Sequence, residues 1–313
     1  LLVDPSFPVA GNLLVFVALL SAGFAAARRR QKELDAALEL EKLERVRMAG
    51  ELQAARKIQM GMLPDPDAVD RLSSDIDFFA FLEPAEEIGG DLYDAFMIDE
   101  GRFFFLVGDV AGKGVAASLF MALSKTLCKS TALRDDLSPA ELLGKLNHEI
   151  SRENPAMLFV TAVAGILDAA EGTLRICCAG HEMPVLIRRG EAPRMVEVEA
   201  GPPLCVIDGY RYSESEMGFD PGDILVLISD GITEAQNTAQ ELYGRQRVLD
   251  RLGAMDEEER RAAAICRRLY EDVKRFSEGA GQSDDITVMA VGYRMNQMTD
   301  DKEQSTRKEI KEI

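Results

Sequence analysis

This chain holds little of several residue types that carry chemistry elsewhere. It has two histidines and five cysteines in 313 residues. The cysteines (Cys128, Cys177, Cys178, Cys205 and Cys266) show no metal-ligand spacing, so a zinc site built from His and Cys is not expected. Adjacent Cys177 and Cys178 on a strand point to opposite faces. All five read as reduced packing residues of a cytosolic domain. Positive charge is in deficit: 36 Lys and Arg face 54 Asp and Glu, a formal net charge of −18. Nucleic-acid binding draws on clustered Lys and Arg that release counterions, so that class is set aside. There is no G-x-x-x-x-G-K-[ST] loop to cradle a nucleotide phosphate. The element order lacks a repeating βαβ pattern, which disfavours a doubly wound sheet.

What the chain does have is aspartate beside glycine at strand ends. The apolar run Phe103 to Val107 reads as a buried strand, and Val115 to Leu123 as a helix. Between them lies GDVAGKG, Gly108 to Gly114. Asp109 thus sits where a strand ends, and a carboxylate there faces a cleft without burying its charge in the core. Gly112 and Gly114 let the backbone bend close to whatever that carboxylate holds. Three other segments repeat the theme: Ile88 to Asp94, Leu225 to Gly231, and Ser283 to Val291. Four acidic clusters at strand ends can meet at one point. Hard oxygen ligands in such a set suit Mg²⁺ or Mn²⁺.

The rest of the chain divides by pattern. Val9 to Ala27 is nearly all apolar and is followed at once by Arg28-Arg29-Arg30. This predicts a single span over 1–27, with the downstream chain on the cytoplasmic side of the cell membrane. Residues 28–64 read as a long linker helix ended by Pro64, with Met48, Leu52, Ala55, Ile58 and Met62 on one stripe. Strands are predicted over 76–82, 159–167, 173–178, 185–188, 223–229 and 285–292. The helix over 115–130 is apolar nearly all round and is expected to be buried. Ser138 to Glu141 forms a capping box with proline at the first helical position, starting a helix to about 153. His148 on that helix reads as a surface or packing residue. Residues 237–244 read as a polar loop over the site, and 256–276 as a helix capped by Asp256. The segment 296–313 is charged, without apolar periodicity, and reads as a disordered tail.

Four motifs in order carry a family resemblance. PAEEIGGDLYD (Pro84 to Asp94), GDVAGKG, LISDGITEA (Leu227 to Ala235) and SDDIT (Ser283 to Thr287) resemble the metal-dependent Ser/Thr protein phosphatases of the type 2C (PPM) superfamily, above all its bacterial SpoIIE-like branch. The resemblance covers about residues 50 to 293. It implies an α+β fold for 65–295: a four-layer α-β-β-α sandwich with two central antiparallel sheets and a metal site at one end. It implies hydrolysis of a phosphoserine or phosphothreonine by water activated between two divalent cations, Mn²⁺ or Mg²⁺, with no phosphoenzyme. Carried over motif by motif, Asp109 bridges both ions and the Val110 carbonyl binds one. Asp230 and Asp284 complete the metal shell, and Asp91 holds metal directly or through water. Asp109 and Asp230 are the catalytic aspartates. Asp285 competes with Asp284, and spacing does not separate them. Lys113 either steers phosphate or is a solvated turn residue. Ala179-Gly180-His181 resembles the family's AGH turn, but Glu182-Met183-Pro184 departs from what usually follows. His181 is therefore weighed as a substrate contact against a structural hydrogen bond, with the latter favoured.

GELQAARKIQMGMLP (Gly50 to Pro64) is similar to the regulatory helix before SpoIIE-like domains, which assigns signal transmission to Leu52, Ala55, Ile58 and Gln59 and allows a homodimer through the linker. The implied partner is an anti-anti-sigma-type phosphoprotein. Two other classes stand beside the enzyme: a catalytically silent docking module of the same fold, and a metal-dependent nucleotide cyclase. Intact aspartates speak against the first, and the missing phosphate loop against the second.

Overall fold

Alternate residues of a strand point to opposite faces, and in this chain both faces are apolar. In the computed structural model, which describes residues 7–152 and 154–294 and their side chains except those of 7–12 and 14, that pattern places each sheet between two apolar layers. The expected tail 296–313 lies outside the described residues. The chain forms two compact units, Leu1–Ala55 and Arg56–Ile313.

The first unit is helical. Helix α1 runs Phe7–Met62, and its residues after Ala55 belong to the second unit. The side chains described between 13 and 51 are exposed, with ion pairs one turn apart such as Arg45–Glu41 (2.7 Å) and Arg47–Glu51 (3.0 Å). The membrane reading is corrected here. Among the described residues no helix is long and apolar enough to cross a membrane. Helix α1 continues through Arg28, Arg29 and Arg30. The expected span over 1–27, the membrane contact and the membrane location are withdrawn.

The second unit opens with the end of α1 and the short α2 (Pro66–Asp70), capped by the Asp65 carboxylate on the Asp67 N–H. Strands β1 (Ile76–Glu83), β2 (Asp91–Met97) and β3 (Arg102–Val110) follow, then helices α3 (Val115–Arg134) and α4 (Pro139–Arg152). Next come β4 (Val160–Asp168), β5 (Thr173–Ala179), β6 (Val185–Ile187), β7 (Arg194–Met195), β8 (Ala200–Gly201), β9 (Ser215–Gly218) and β10 (Ile224–Ile228). Helices α5 (Asp230–Thr233), α6 (Gly244–Gly253) and α7 (Ala262–Phe276) precede the closing strand β11 (Ile286–Tyr293). One sheet has the order β1-β11-β10-β6-β7; the other is β2-β3-β4-β5-β8, with β9 also on β5. Pairing is antiparallel except between β5 and β8, where Cys178 and Ala179 run parallel to Ala200 and Gly201.

Three apolar layers result. Phe78, Phe103, Phe105, Val107, Leu225, Met289 and Val291 fill the space between the sheets. The alternate residues Phe104 and Leu106 face α3 and α4, with Met121, Leu142 and Leu143. On the far side Val226, Val288 and Ala290 meet Ile265, Leu269 and Val273 of α7. This is the four-layer α-β-β-α order. Burying each such side chain contributes about 1.5–3 kcal/mol, so strands apolar on both faces anchor all four layers.

Local departures have physical causes. The capping box at α4 is present, with Ser138 N–H on Glu141 Oε2 (2.9 Å) and Glu141 N–H on Ser138 Oγ (3.4 Å). Helix α3 is not buried all round: Val115, Leu119, Leu123 and Leu133 are exposed, because it is an outermost layer that packs on one side only. Helix α7 starts at Ala262, not at Asp256. A 3-10 turn (Glu257–Glu259) comes first, and the Ala262 N–H is taken by Asp77 of β1 (2.9 Å). Helix α6 occupies a stretch where no helix was expected; its only buried side chains are Val248 and Leu252.

Candidate metal centre

Register brings the first two aspartates together. In the β2–β3 ladder Asp91 lies opposite Asp109, and like charges so placed repel. Gly90 permits the approach. A Cβ there would stand 2.6 Å from the Val110 carbonyl oxygen and 3.0 Å from Asp109 Oδ1. The other sheet delivers the rest. β10 ends at Ile228, and Asp230 opens α5 two residues on; Asp284 and Asp285 immediately precede β11. Ser229 ties these ends together. Its hydroxyl donates to the Asp285 carbonyl (3.1 Å) and accepts from the Thr287 N–H (2.9 Å), while its own N–H donates to the Thr287 carbonyl (3.0 Å). Gly231 is required by the same closeness, since a Cβ would fall 1.9 Å from the Asp285 carbonyl oxygen.

Neighbours Asp284 and Asp285 have different surroundings. Asp285 is buried, and its carboxylate accepts the N–H groups of Ala85 (2.8 Å), Gly90 (2.8 Å) and Asp91 (3.2 Å). It pins the loop between β1 and β2. A Cβ on Gly89 would lie 2.0 Å from its Oδ2. The Asp284 side chain is 41% exposed; it accepts the Asp285 N–H (3.0 Å) and pairs with Lys113 Nζ (3.3 Å). Lys113 also donates to the Ser283 carbonyl, which holds its ammonium on this loop.

Electrostatics follow from that crowding. Burial first, then Asp109 and Asp285, drive the Asp91 carboxyl well above the usual range, opposed by the Thr287 hydroxyl donating to Asp91 Oδ2 (2.5 Å). Asp109 is pushed up to about 7 by burial, then by Asp230, Asp284 and Asp285. Asp230 is pushed up to about 6 by burial, then by Asp284, Glu234 and Glu182. Burial and repulsion thus both disfavour the ionised forms. Among the described residues no three His, Cys, Asp or Glu side chains stand closed on one point at metal-holding spacing. The donor set is nonetheless all oxygen and mutually repelling, which is what a divalent cation relieves, so the residues fit Mg²⁺ or Mn²⁺.

His181 sits behind the centre, buried and kept neutral, its pKa lowered to about 4 by burial. Its Nδ1 lies 2.9 Å from Thr161 Oγ1, and that hydroxyl reaches the Asp109 carbonyl (3.4 Å). On α1, Gln59 is buried and grips Gly89 twice: Nε2–H to the carbonyl (2.7 Å), and the Gly89 N–H to Oε1 (3.2 Å). Leu52 and Ala55 are half-buried, whereas Ile58 is 69% exposed. Thr287, Ser229 and Thr161 were not singled out in the sequence. Thr287 and Ser229 lie inside the acidic motifs, where a hydroxyl at a strand end was the available signal. Thr161 gave none.

Comparisons with known proteins give the family and the fold. The family profile of stage II sporulation protein E (SpoIIE) matches residues 99–294. The chain is 30% identical over 272 residues to Protein IcfG of Synechocystis sp., covering 78% of this chain and 41% of that one. It is 27% identical over 191 residues to the phosphoserine phosphatase RsbU of Bacillus subtilis, covering 59% and 54%. Among solved structures it resembles the SiaA-PP2C domain of Pseudomonas aeruginosa (TM-score 0.68, 21% identity, 81% of this chain and 99% of that one). It also resembles the catalytic domain of the serine/threonine phosphatase PstP in complex with two manganese ions (TM-score 0.52, 14% identity, 71% and 99%). The chain therefore belongs to the SpoIIE family and has the fold of the PP2C-type protein Ser/Thr phosphatases. It spans about half or less of the length of these curated relatives.

Proposed function

We propose that this chain is a metal-dependent protein serine/threonine phosphatase. The observation that carries the reading is the meeting of Asp91, Asp109, Asp230 and Asp284 at the ends of strands from both sheets, where burial and repulsion push the first three carboxyls upward. Asp109, Asp230 and Asp284, with Asp91 and the Val110 carbonyl, would hold two divalent cations, Mn²⁺ or Mg²⁺. When bound, such cations supply Lewis-acid activation of water and offset charge on phosphoryl oxygens.

The chain's own residues do the positioning. Thr287 orients Asp91 through its hydroxyl. Asp285 spends its oxygens on backbone N–H groups, so it sets the loop that carries Gly90 and Asp91, and Asp284 is left as the ligand of the pair. Lys113, held on Asp284, places a cation beside the centre for an incoming phosphate. His181 supports Thr161 and so the backbone of Asp109, the structural role. Phosphatase assay of the full chain on a phosphoserine peptide, with Mn²⁺ or Mg²⁺ titrated in, tests this. Metal-dependent phosphate release lost in Asp109→Ala and Asp230→Ala supports the reading; release that persists in both refutes it.

The substrate in this reading is a phosphoserine or phosphothreonine on an anti-anti-sigma-type regulator, in keeping with the relative named a phosphoserine phosphatase. Gln59 links the C-terminal end of α1 to Gly89, one residue from Gly90, so movement of that helix would shift the loop that presents Asp91. Leu34, Leu38, Leu40 and Leu43 are exposed on α1, and a second copy of the helix would cover them. A sedimentation profile that stays monomeric at all concentrations would remove the dimer from this scheme.

A further inference from the structure

At the end of the sandwich opposite the aspartates lies a cavity of about 310 Å³, reached at the start of β10 and the end of β11. In a chain of net charge −18 its lining is basic: Arg188, Arg189, Arg260, Arg261 and Arg294, against Asp77, Glu257 and Glu258. Three of the arginines are occupied. Arg188 pairs with Asp223 (3.0 Å), Arg189 with Glu257 (3.3 Å), and Arg294 with Asp70. Two are not. Among the described residues, Arg260 and Arg261 make no side-chain hydrogen bond or ion pair, and Arg260 Nε is sealed from solvent with no partner at all.

A buried guanidinium N–H without an acceptor is costly, and in a native fold such a group calls for an explanation. The acids nearby do not supply it. Asp77 Oδ2 takes the Ala262 N–H (2.9 Å), and Glu257 takes the Gly190 N–H (2.8 Å) as well as Arg189. Arg261 directly precedes α7, so both unpaired arginines stand at the positive end of a 15-residue helix. The remaining wall is apolar and flat. Ile187 and Ile224, from β6 and β10, line it.

We infer that this cavity binds a small phosphate-bearing organic molecule of about the size of a nucleoside monophosphate. Guanidinium forks match phosphate oxygens in bidentate fashion, the helix end adds to the same field, and the cavity volume lies in the range of small-molecule sites. The apolar wall of Ile187 and Ile224 takes the organic body. This site is separate from the carboxylate centre and takes no part in holding its metal.

The test is calorimetric titration of the full chain, with divalent ions chelated, using AMP, inorganic phosphate and adenosine. Saturable AMP binding is expected, weakened about tenfold (about 1.4 kcal/mol) by Arg260→Gln and by Arg261→Glu, and unchanged by Asp109→Asn. Arg261 is exposed, so its variant keeps the fold; thermal unfolding checks both variants. Inorganic phosphate binding as tightly as AMP would support the arginine site and identify free phosphate as its ligand. Absence of saturable AMP and phosphate binding overturns the proposal. So does binding that survives both arginine changes, adenosine binding as tightly as AMP, or loss of binding in Asp109→Asn.

Discussion

Strands β10 and β11 connect two ends of opposite charge. At one end Asp91, Asp109, Asp230 and Asp284 stand together, with Lys113 as the cation paired to them. At the other, among the described residues, three of five arginines have carboxylate partners and two do not. At the acidic end burial, and after it repulsion among neighbouring acids, raises the pKa of the carboxyls. The basic end shows its strain as a sealed N–H without an acceptor. Crowded like charge is therefore expressed differently at the two ends, as a shifted titration for carboxyls and as an unpaired N–H for a guanidinium that does not titrate.

The contrast breaks most sharply in activity. Asp109→Ala or Asp230→Ala should lower kcat/KM on a phosphoserine peptide by about a thousandfold or more, whereas Arg261→Glu should leave it within about twofold. A comparable loss in Arg261→Glu would mean that the ends are not independent. Next comes the neighbouring pair at the acidic end. Asp285→Ala strands three backbone N–H groups and should cost about 3 kcal/mol in denaturant unfolding. Asp284→Ala should cost under about 1 kcal/mol while reducing metal affinity. The reverse pattern would exchange their roles.

A smaller effect is a slope with pH. Asp109 and Asp230 have folded-state pKa values of about 7 and about 6, raised from 3.8, so the folded state binds their protons more tightly than the unfolded chain does. Their contribution is fully present below pH ~4 and is lost as pH rises through about 6 to 7. Thermal unfolding with chelator should therefore fall across that window, and Asp109→Asn should flatten the fall. A flat profile in the parent chain would deny the crowding. Smallest is Gln59→Leu, which removes two hydrogen bonds to Gly89 and should cost about 1–2 kcal/mol, with activity shifted more than in Ile58→Ala.

The acidic motifs were legible because aspartate and glycine in a strand-end turn announce both a charge and the space for it. The different surroundings of Asp284 and Asp285 were not, because the N–H groups that occupy Asp285 lie about two hundred residues upstream. The sandwich was legible through the family resemblance of the four motifs, and the element order by itself only disfavoured a doubly wound sheet. Helix α7 was placed six residues early since its cap, Asp77, comes from β1 and not from the local sequence. Helix α6 escaped notice because RQRVLDRLG buries only two side chains. The apolar run before Arg28 was read as a span, but among the described residues no helix is long and apolar enough to cross a membrane, and this one carries on through three arginines.

Strand order has a consequence for synthesis. β11, the last strand of the sandwich to leave the ribosome, lies between β1, its first, and β10. Until β11 arrives, β1 and β10 both present open backbone edges, which invite pairing with other chains. Thr287 and Asp285, which orient Asp91 and the loop around it, arrive with that same strand. A nascent chain stalled before Ser283 would therefore have most of its apolar core but an incomplete acidic centre, which closes only when the domain is fully translated.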